Sequence, residues 1–173
     1  KYIKSRKMTN ETSQVAIIMG SDSDLPIVEA AFPILDNFGI KFTKNVMSAH
    51  RTPHDVMELI KNSEKNGCKV FIAAAGMAAH LAGAIAAHST KPVIGIPIES
   101  GGMGGIDSLL STAMMPPGVP VATVAVGKSG AKNSAILAVQ ILATSNDDLA
   151  RKLKDFKENM RAEVLEKDKK LNS

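Results

Sequence analysis

Short apolar runs alternate with longer amphipathic ones along most of the chain, the pattern of strand and helix units repeated around a parallel sheet. Val15 to Met19 (VAIIM) reads as a buried first strand. After the turn Gly20-Ser21-Asp22-Ser23-Asp24, Leu25, Val28, Ala31, Phe32 and Leu35 fall at helical spacing and predict one helix to Phe38, ended by Gly39. Lys41 to Met47 is a weaker strand suited to a sheet edge. Thr52 predicts an N-cap, with Pro53 at the first helical position and Asp55 in the first turn, for a helix to Asn66 stopped by Gly67. Lys69 to Ala75 predicts the third strand, Ala78 to His88 a small-residue helix, Val93 to Ile98 the fourth strand, and Gly101 to Gly105 a flexible loop. A short helix over Asp107 to Met114, a fifth strand over Val121 to Val126 and an apolar helix over Ala131 to Ala143 follow.

These elements predict an α/β fold: a three-layer, open, five-stranded parallel sheet of flavodoxin or Rossmann type, closed by a charged helix from Asp147 to about Lys167. In such sheets ligands bind beyond the carboxyl ends of the strands, where strand order reverses. That directs attention to the loops Gly20–Asp24, Ser48–Thr52, Ala75–His80, Glu99–Gly105 and Gly127–Gly130.

Composition narrows the functional classes. The chain has 173 residues and is 45% apolar and 22% charged, proportions of a folded single domain. Its longest apolar candidate, Ala73 to Ala87, is broken by Gly76, His80 and Gly83, so no membrane span is expected. One cysteine, Cys68, allows no internal disulfide, and the sequence points to a reducing, cytoplasmic setting. The net charge of +4 comes from Lys1, Lys4, Arg6 and Lys7, leaving 17 basic against 17 acidic residues. With no Trp, one Tyr and five Phe, the footprint of a nucleic-acid binder is missing. Residues 1–12 are expected to be a disordered or appended basic tail, and residues 13–173 one catalytic domain.

The first loop sets two hydroxyls and two carboxylates at a helix start, where backbone N–H groups favour an anion. Ser21 and Ser23 suit phosphate oxygens and Asp24 suits ribose hydroxyls; alternatively Ser23 or Asp24 merely caps the helix. In the second loop Ser48, His50 and Arg51 crowd one strand end. Arg51 offers bidentate phosphate binding, and His50 is a candidate proton carrier or, in the plainer reading, a surface or capping histidine. His54 is expected to face solvent. His80 sits in an alanine-rich stretch, where a lone histidine is usually structural, and His88 is expected to meet the terminal carbonyls of its helix.

No Cys, His and carboxylate cluster has metal-ligand spacing, so no metal is expected. Gly127-Lys128-Ser129 ends like a phosphate-binding loop, but the glycine required upstream would fall at Ala122, inside a strand. Cys68 precedes a buried strand and is expected in the core.

Taken together, Gly20-Ser21-Asp22-Ser23-Asp24, Ser48-Ala49-His50-Arg51-Thr52-Pro53, Ala78-Ala79-His80-Leu81, Asp107-Ser108-Leu109-Leu110, Met115-Pro116 and Gly118-Val119-Pro120-Val121-Ala122-Thr123 resemble the PurE family of purine biosynthesis, over roughly Val15 to Leu165. The resemblance is to the branch of N5-carboxyaminoimidazole ribonucleotide mutases. It implies that Ser21, Ser48 and Arg51 hold a 5′-phosphate with help from Ser23, that Asp24 holds the ribose, and that His50 is the general acid/base. It further implies that Ala75, Gly76 and His80 line the substrate pocket, that no cofactor is needed, and that subunits form a homo-octamer. Functional coupling to the synthetase that makes the carbamate substrate is also implied. The usual family segment reads Gly-Ala-Gly-Gly-Ala-Ala-His-Leu-Pro-Gly; this chain has Ala74, Met77 and Ala82 in place of its first and fourth residues and its proline. The expected departures are added side chains at Ala74 and Met77, where the backbone would approach the ligand. Alternatives are a direct aminoimidazole ribonucleotide carboxylase, whose branch has a Ser-Asn pair in this loop, and a non-catalytic nucleotide-binding module.

Overall fold

The computed structural model describes residues 12–173. The expected basic tail lies outside the described residues, apart from Thr12. Five parallel strands, β1 (Val15–Met19), β2 (Phe42–Val46), β3 (Val70–Gly76), β4 (Val93–Ile98) and β5 (Ala122–Thr123), form one sheet in the order β2-β1-β3-β4-β5. In register, Met19 pairs with Val46 on one side and Ala74 on the other, so β1 and β2 end together while β3 runs on to Gly76 beside β4. The chain leaves β1 for one sheet edge and returns on its other side as β3. That reversal is where an open α/β sheet opens a crevice.

Side chains alternate along the strands, and each face buries its own set. Val15, Ile17 and Met19 join Leu35, Ile72 and Ile96 under α6 (Lys128–Ala143) and the start of α7 (Asp147–Leu171). Ala16 and Ile18 join Phe71, Ile60 and Ile85 under α3 (Pro53–Lys65) and α4 (Leu81–His88). Cys68 lies in this second cluster; burial pushes its thiol up to about 11, and the S–H donates to the Val70 carbonyl. Beyond Phe156, whose ring meets Phe38 edge-on at 5.8 Å, α7 is exposed.

The elements depart from the sequence expectations in four places. The helix expected to run unbroken to Phe38 is instead segmented: a 3-10 turn at Asp22–Asp24, α1 (Leu25–Val28), a second 3-10 turn at Glu29–Ala31, and α2 (Phe32–Asn37). Pro33 lacks the N–H that would reach back to Glu29, so the α-helical ladder restarts there. β5 holds two residues where six were expected. Val124 N–H donates to Gly95 O and Gly127 N–H to Pro97 O, so β4 turns these residues' backbone toward β5, and Pro97 has no N–H to continue the ladder. α6 begins at Lys128, which absorbs the loop expected at Gly127–Gly130. α4 begins at Leu81, three residues later than expected, because the chain first makes a turn through Met77 at φ 55. α5 (Ile106–Ala113) packs beside β4.

Candidate active site

A cavity of about 550 Å³ opens at the carboxyl ends of β1, β2 and β3. Its first wall is the loop after β1. Ser21 stands at the N-cap of the first 3-10 turn, its Oγ accepting from Ser23 N–H at 3.3 Å, while Asp24 Oδ2 accepts from Ser21 N–H at 3.1 Å. Ser21 and Asp24 thus make a capping box, and the capping expected of Ser23 or Asp24 falls to Asp24 together with Ser21. Ser23 instead turns its hydroxyl to Ser21 Oγ at 2.8 Å. Asp24 is 6% exposed; burial raises its carboxyl above the ordinary value of 3.8, the Ser21 N–H lowers it, and Asp22 raises it further.

The loop after β2 forms the second wall. Thr52 occupies the N-cap of α3, as expected, but its hydroxyl makes no cap to the helix. It accepts from Ser48 N–H at 2.9 Å and donates to Ser48 O at 3.0 Å, tying the loop into a closed turn. Inside that turn Ser48 Oγ accepts from Arg51 N–H at 3.1 Å and Nε–H at 3.4 Å. Arg51 Nη2 reaches across to the Gly20 carbonyl at 3.4 Å. Ser21, Ser48 and Arg51 all line the cavity; Ser21 Oγ–H donates to Asp22 Oδ1 at 3.2 Å, and the Arg51 guanidinium ties the second loop to the end of β1 through the Gly20 carbonyl.

The loop after β3 forms the third wall. His80, expected within a helix, is the exposed N-cap residue of α4, and its Nδ1 lies 2.7 Å from His50 Nε2. Ala79 N–H donates to Ser111 Oγ at 3.0 Å, so α5 holds this loop in place. Ala75, Gly76 and Met77 line the cavity; Ala74 does not, since its side chain is buried in the core beneath the sheet. Of the two departures expected near the ligand, only Met77 lines the cavity. It adopts a left-handed conformation that costs a residue with a Cβ about 1 kcal/mol.

Five lining residues, Gly20, Ala49, Ala78, Leu81 and Ser100, were given no role from the sequence. Leu81 contributes apolar surface beside His80, and Ser100 lies against Gly76. A side chain at position 76 would occupy the place of the Ser100 hydroxyl, which is why glycine is needed there. The signal available was a hydroxyl at the carboxyl end of β4, facing a glycine at the end of β3. His54 is exposed, and His88 Nδ1 bonds the Ala84 carbonyl at 2.9 Å, both as expected. Among the described residues, no three His, Cys, Asp or Glu side chains gather to hold a metal ion. No helix among them is long and apolar enough to cross a membrane.

The family model described as AIR carboxylase matches residues 14–163. The chain belongs to this family. Within the AIR carboxylase family it is 51% identical over 158 residues to the N5-carboxyaminoimidazole ribonucleotide mutase of Thermotoga maritima, spanning 91% of each chain. To the protein of that name from Bacillus subtilis it is 51% identical over 152 residues, 88% of this chain and 94% of the relative. The crystal structure of Treponema denticola PurE superposes with a TM-score of 0.84 at 30% identity, covering 92% of this chain and 98% of that one. Family membership and the parallel α/β sheet expected from the sequence therefore agree.

Proposed function

We propose that this protein converts N5-carboxyaminoimidazole ribonucleotide to 4-carboxy-5-aminoimidazole ribonucleotide in purine biosynthesis. The observation that carries the reading is that Ser21, Ser48 and Arg51 line the same cavity as His50, in a chain about half identical to mutases over nearly their full length. Ser21, Ser48 and Arg51, with Ser23, hold the 5′-phosphate through charge-assisted and hydroxyl hydrogen bonds. Asp24 accepts from the ribose hydroxyls, and the Ala75–Gly76 backbone and His80 border the base. His50 is the general acid/base.

The chemistry asks little else of the protein. The carbamate C–N bond breaks, CO2 is retained in the cavity, and C4 of the electron-rich aminoimidazole attacks it. The proton leaving C4 ends on the exocyclic nitrogen. No cofactor is required, because the ring supplies its own nucleophile; the walls orient it and exclude water. We place the enzyme in the cytoplasm as a homo-octamer, functionally coupled to the synthetase that supplies the unstable carbamate.

Ultraviolet detection of product, with the carbamate substrate compared against aminoimidazole ribonucleotide plus bicarbonate, tests the reading. Fast conversion of the first is expected. Efficient conversion of the second alone would make the protein a direct carboxylase, and conversion of neither would leave a binding module. His50→Asn should abolish turnover while ligand affinity stays within about tenfold, because acid/base groups act mainly on the transition state.

A further inference from the structure

His50 and His80 come from different loops, 30 residues apart, yet His50 Nε2 and His80 Nδ1 are 2.7 Å from each other. Their rings meet edge to face, centroids 4.8 Å apart and planes at 73°. At that separation one hydrogen must lie between the two nitrogens: two bare lone pairs repel, and two facing N–H groups collide. Both rings therefore cannot be imidazolium while the contact lasts. Whichever ring holds the hydrogen, His50 Nε2 is committed, and Nδ1 is the nitrogen left to a substrate.

We propose that His80 is the positioning residue of this pair, and that the shared hydrogen sets His50 as acid or base. The inference rests on the mutase reading and deepens it. With the hydrogen on His80 Nδ1, His50 carries its own proton at Nδ1 and is an acid. With the hydrogen on His50 Nε2, Nδ1 is bare and His50 is a base. The pair enters turnover with one extra proton, held on His80. As the carbamate C–N bond breaks, its electron pair stays on the exocyclic nitrogen and takes the proton from His50 Nδ1, while the shared hydrogen moves from His80 to His50 Nε2. C4 then forms its bond to CO2. The C4 proton goes to His50 Nδ1, and the shared hydrogen returns to His80. One proton is lent and recovered, no co-reactant is consumed, and His50 never has to carry charge alone. The other charged groups lining the cavity are Arg51, tied to Ser48 and Gly20, and Asp24, tied to Ser21.

The test compares kcat, KM and the pH dependence of kcat for the unaltered protein, His80→Phe and His80→Asn, with thermal unfolding as a control on folding. Phe keeps a ring but removes the nitrogen; Asn restores a hydrogen-bonding group. His80→Phe should lower kcat about tenfold or more with KM changed less than about threefold, and the alkaline limb of its kcat profile should move to lower pH. His80→Asn should recover part of the loss. An unchanged kcat and profile in His80→Phe, a rise in KM alone, or equal losses in the two variants would each overturn the proposal. Failure of the unaltered protein to convert the carbamate would overturn the mutase reading, and this proposal with it.

Discussion

Asp24 shows a carboxylate held against its own preference. Burial raises its proton affinity, with the Ser21 N–H opposing and Asp22 adding to the effect. The folded state then binds the proton more tightly than the unfolded chain. The stability this confers is fully present below the ordinary value of 3.8 and is lost as pH rises through the folded-state value. Once ionised, the buried carboxylate destabilises the fold, at the site proposed for the ribose. Asp24→Asn removes the charge but retains an oxygen that can accept from Ser21 N–H. Urea unfolding across a pH series should show the variant at least as stable as the parent at pH 7, and without the parent's decline above pH 4. Substrate affinity should fall about tenfold with loss of a charged acceptor. A variant less stable at pH 7 would mean that the capping box outweighs burial.

Among the elements, what was legible in the sequence was what depends on local pattern. VAIIM and the run Val93–Ile98 are buried strands with the boundaries their apolar residues imply, and the charged last helix starts at Asp147, where its Asn146 cap accepts from Leu149 N–H at 3.1 Å. Strand β5 failed because its length is set by Pro97 on a neighbouring strand. Thr52 was legible as a position and not as a contact: its hydroxyl serves Ser48 behind it, not the helix ahead. His50 and Arg51 were readable as chemistry because they share a strand end, whereas the pairing of His50 with His80 required β2 and β3 to be set in register on the two sides of β1, which no local spacing encodes. The anchoring of the third loop by α5 was equally hidden. Ser111 donates to Asp107 O at 2.7 Å within its helix and accepts from Ala79 N–H next to His80. Ser111→Ala would leave that N–H, on a residue 1% exposed, without its acceptor. We expect a loss of about 1–3 kcal/mol in chemical denaturation and a several-fold fall in kcat/KM, with Ser111→Thr retaining most of both. Unchanged kinetics in Ser111→Ala would show that the loop keeps its shape without α5.

On the scale of the whole molecule, the other side of α5 is unfinished. Ile106, Leu110 and Met114 recur every four residues along one stripe and are 58%, 53% and 77% exposed, with Met103 nearby in the chain at 61%. A stripe of this kind is more apolar than a solvated helix face needs to be, and burying one leucine is worth roughly 1.5–3 kcal/mol. The proposed octamer gives it a partner, repeated in every subunit. Because Ser111 lies on the same helix, next to Leu110, assembly and active-site order would be linked through one rigid element. Leu110→Asp places a charge in the stripe, away from the cavity and from the buried core. Analytical ultracentrifugation should then show a smaller species, and activity should fall at least about tenfold at concentrations where the parent is fully assembled. The dissociated variant should still show the far-ultraviolet circular dichroism of the α/β fold, since Leu110 belongs to neither buried cluster. A variant that retained the parent's mass and rate would exclude α5 from the subunit contact. One that dissociated without losing activity would separate assembly from catalysis and make each subunit's cavity sufficient by itself.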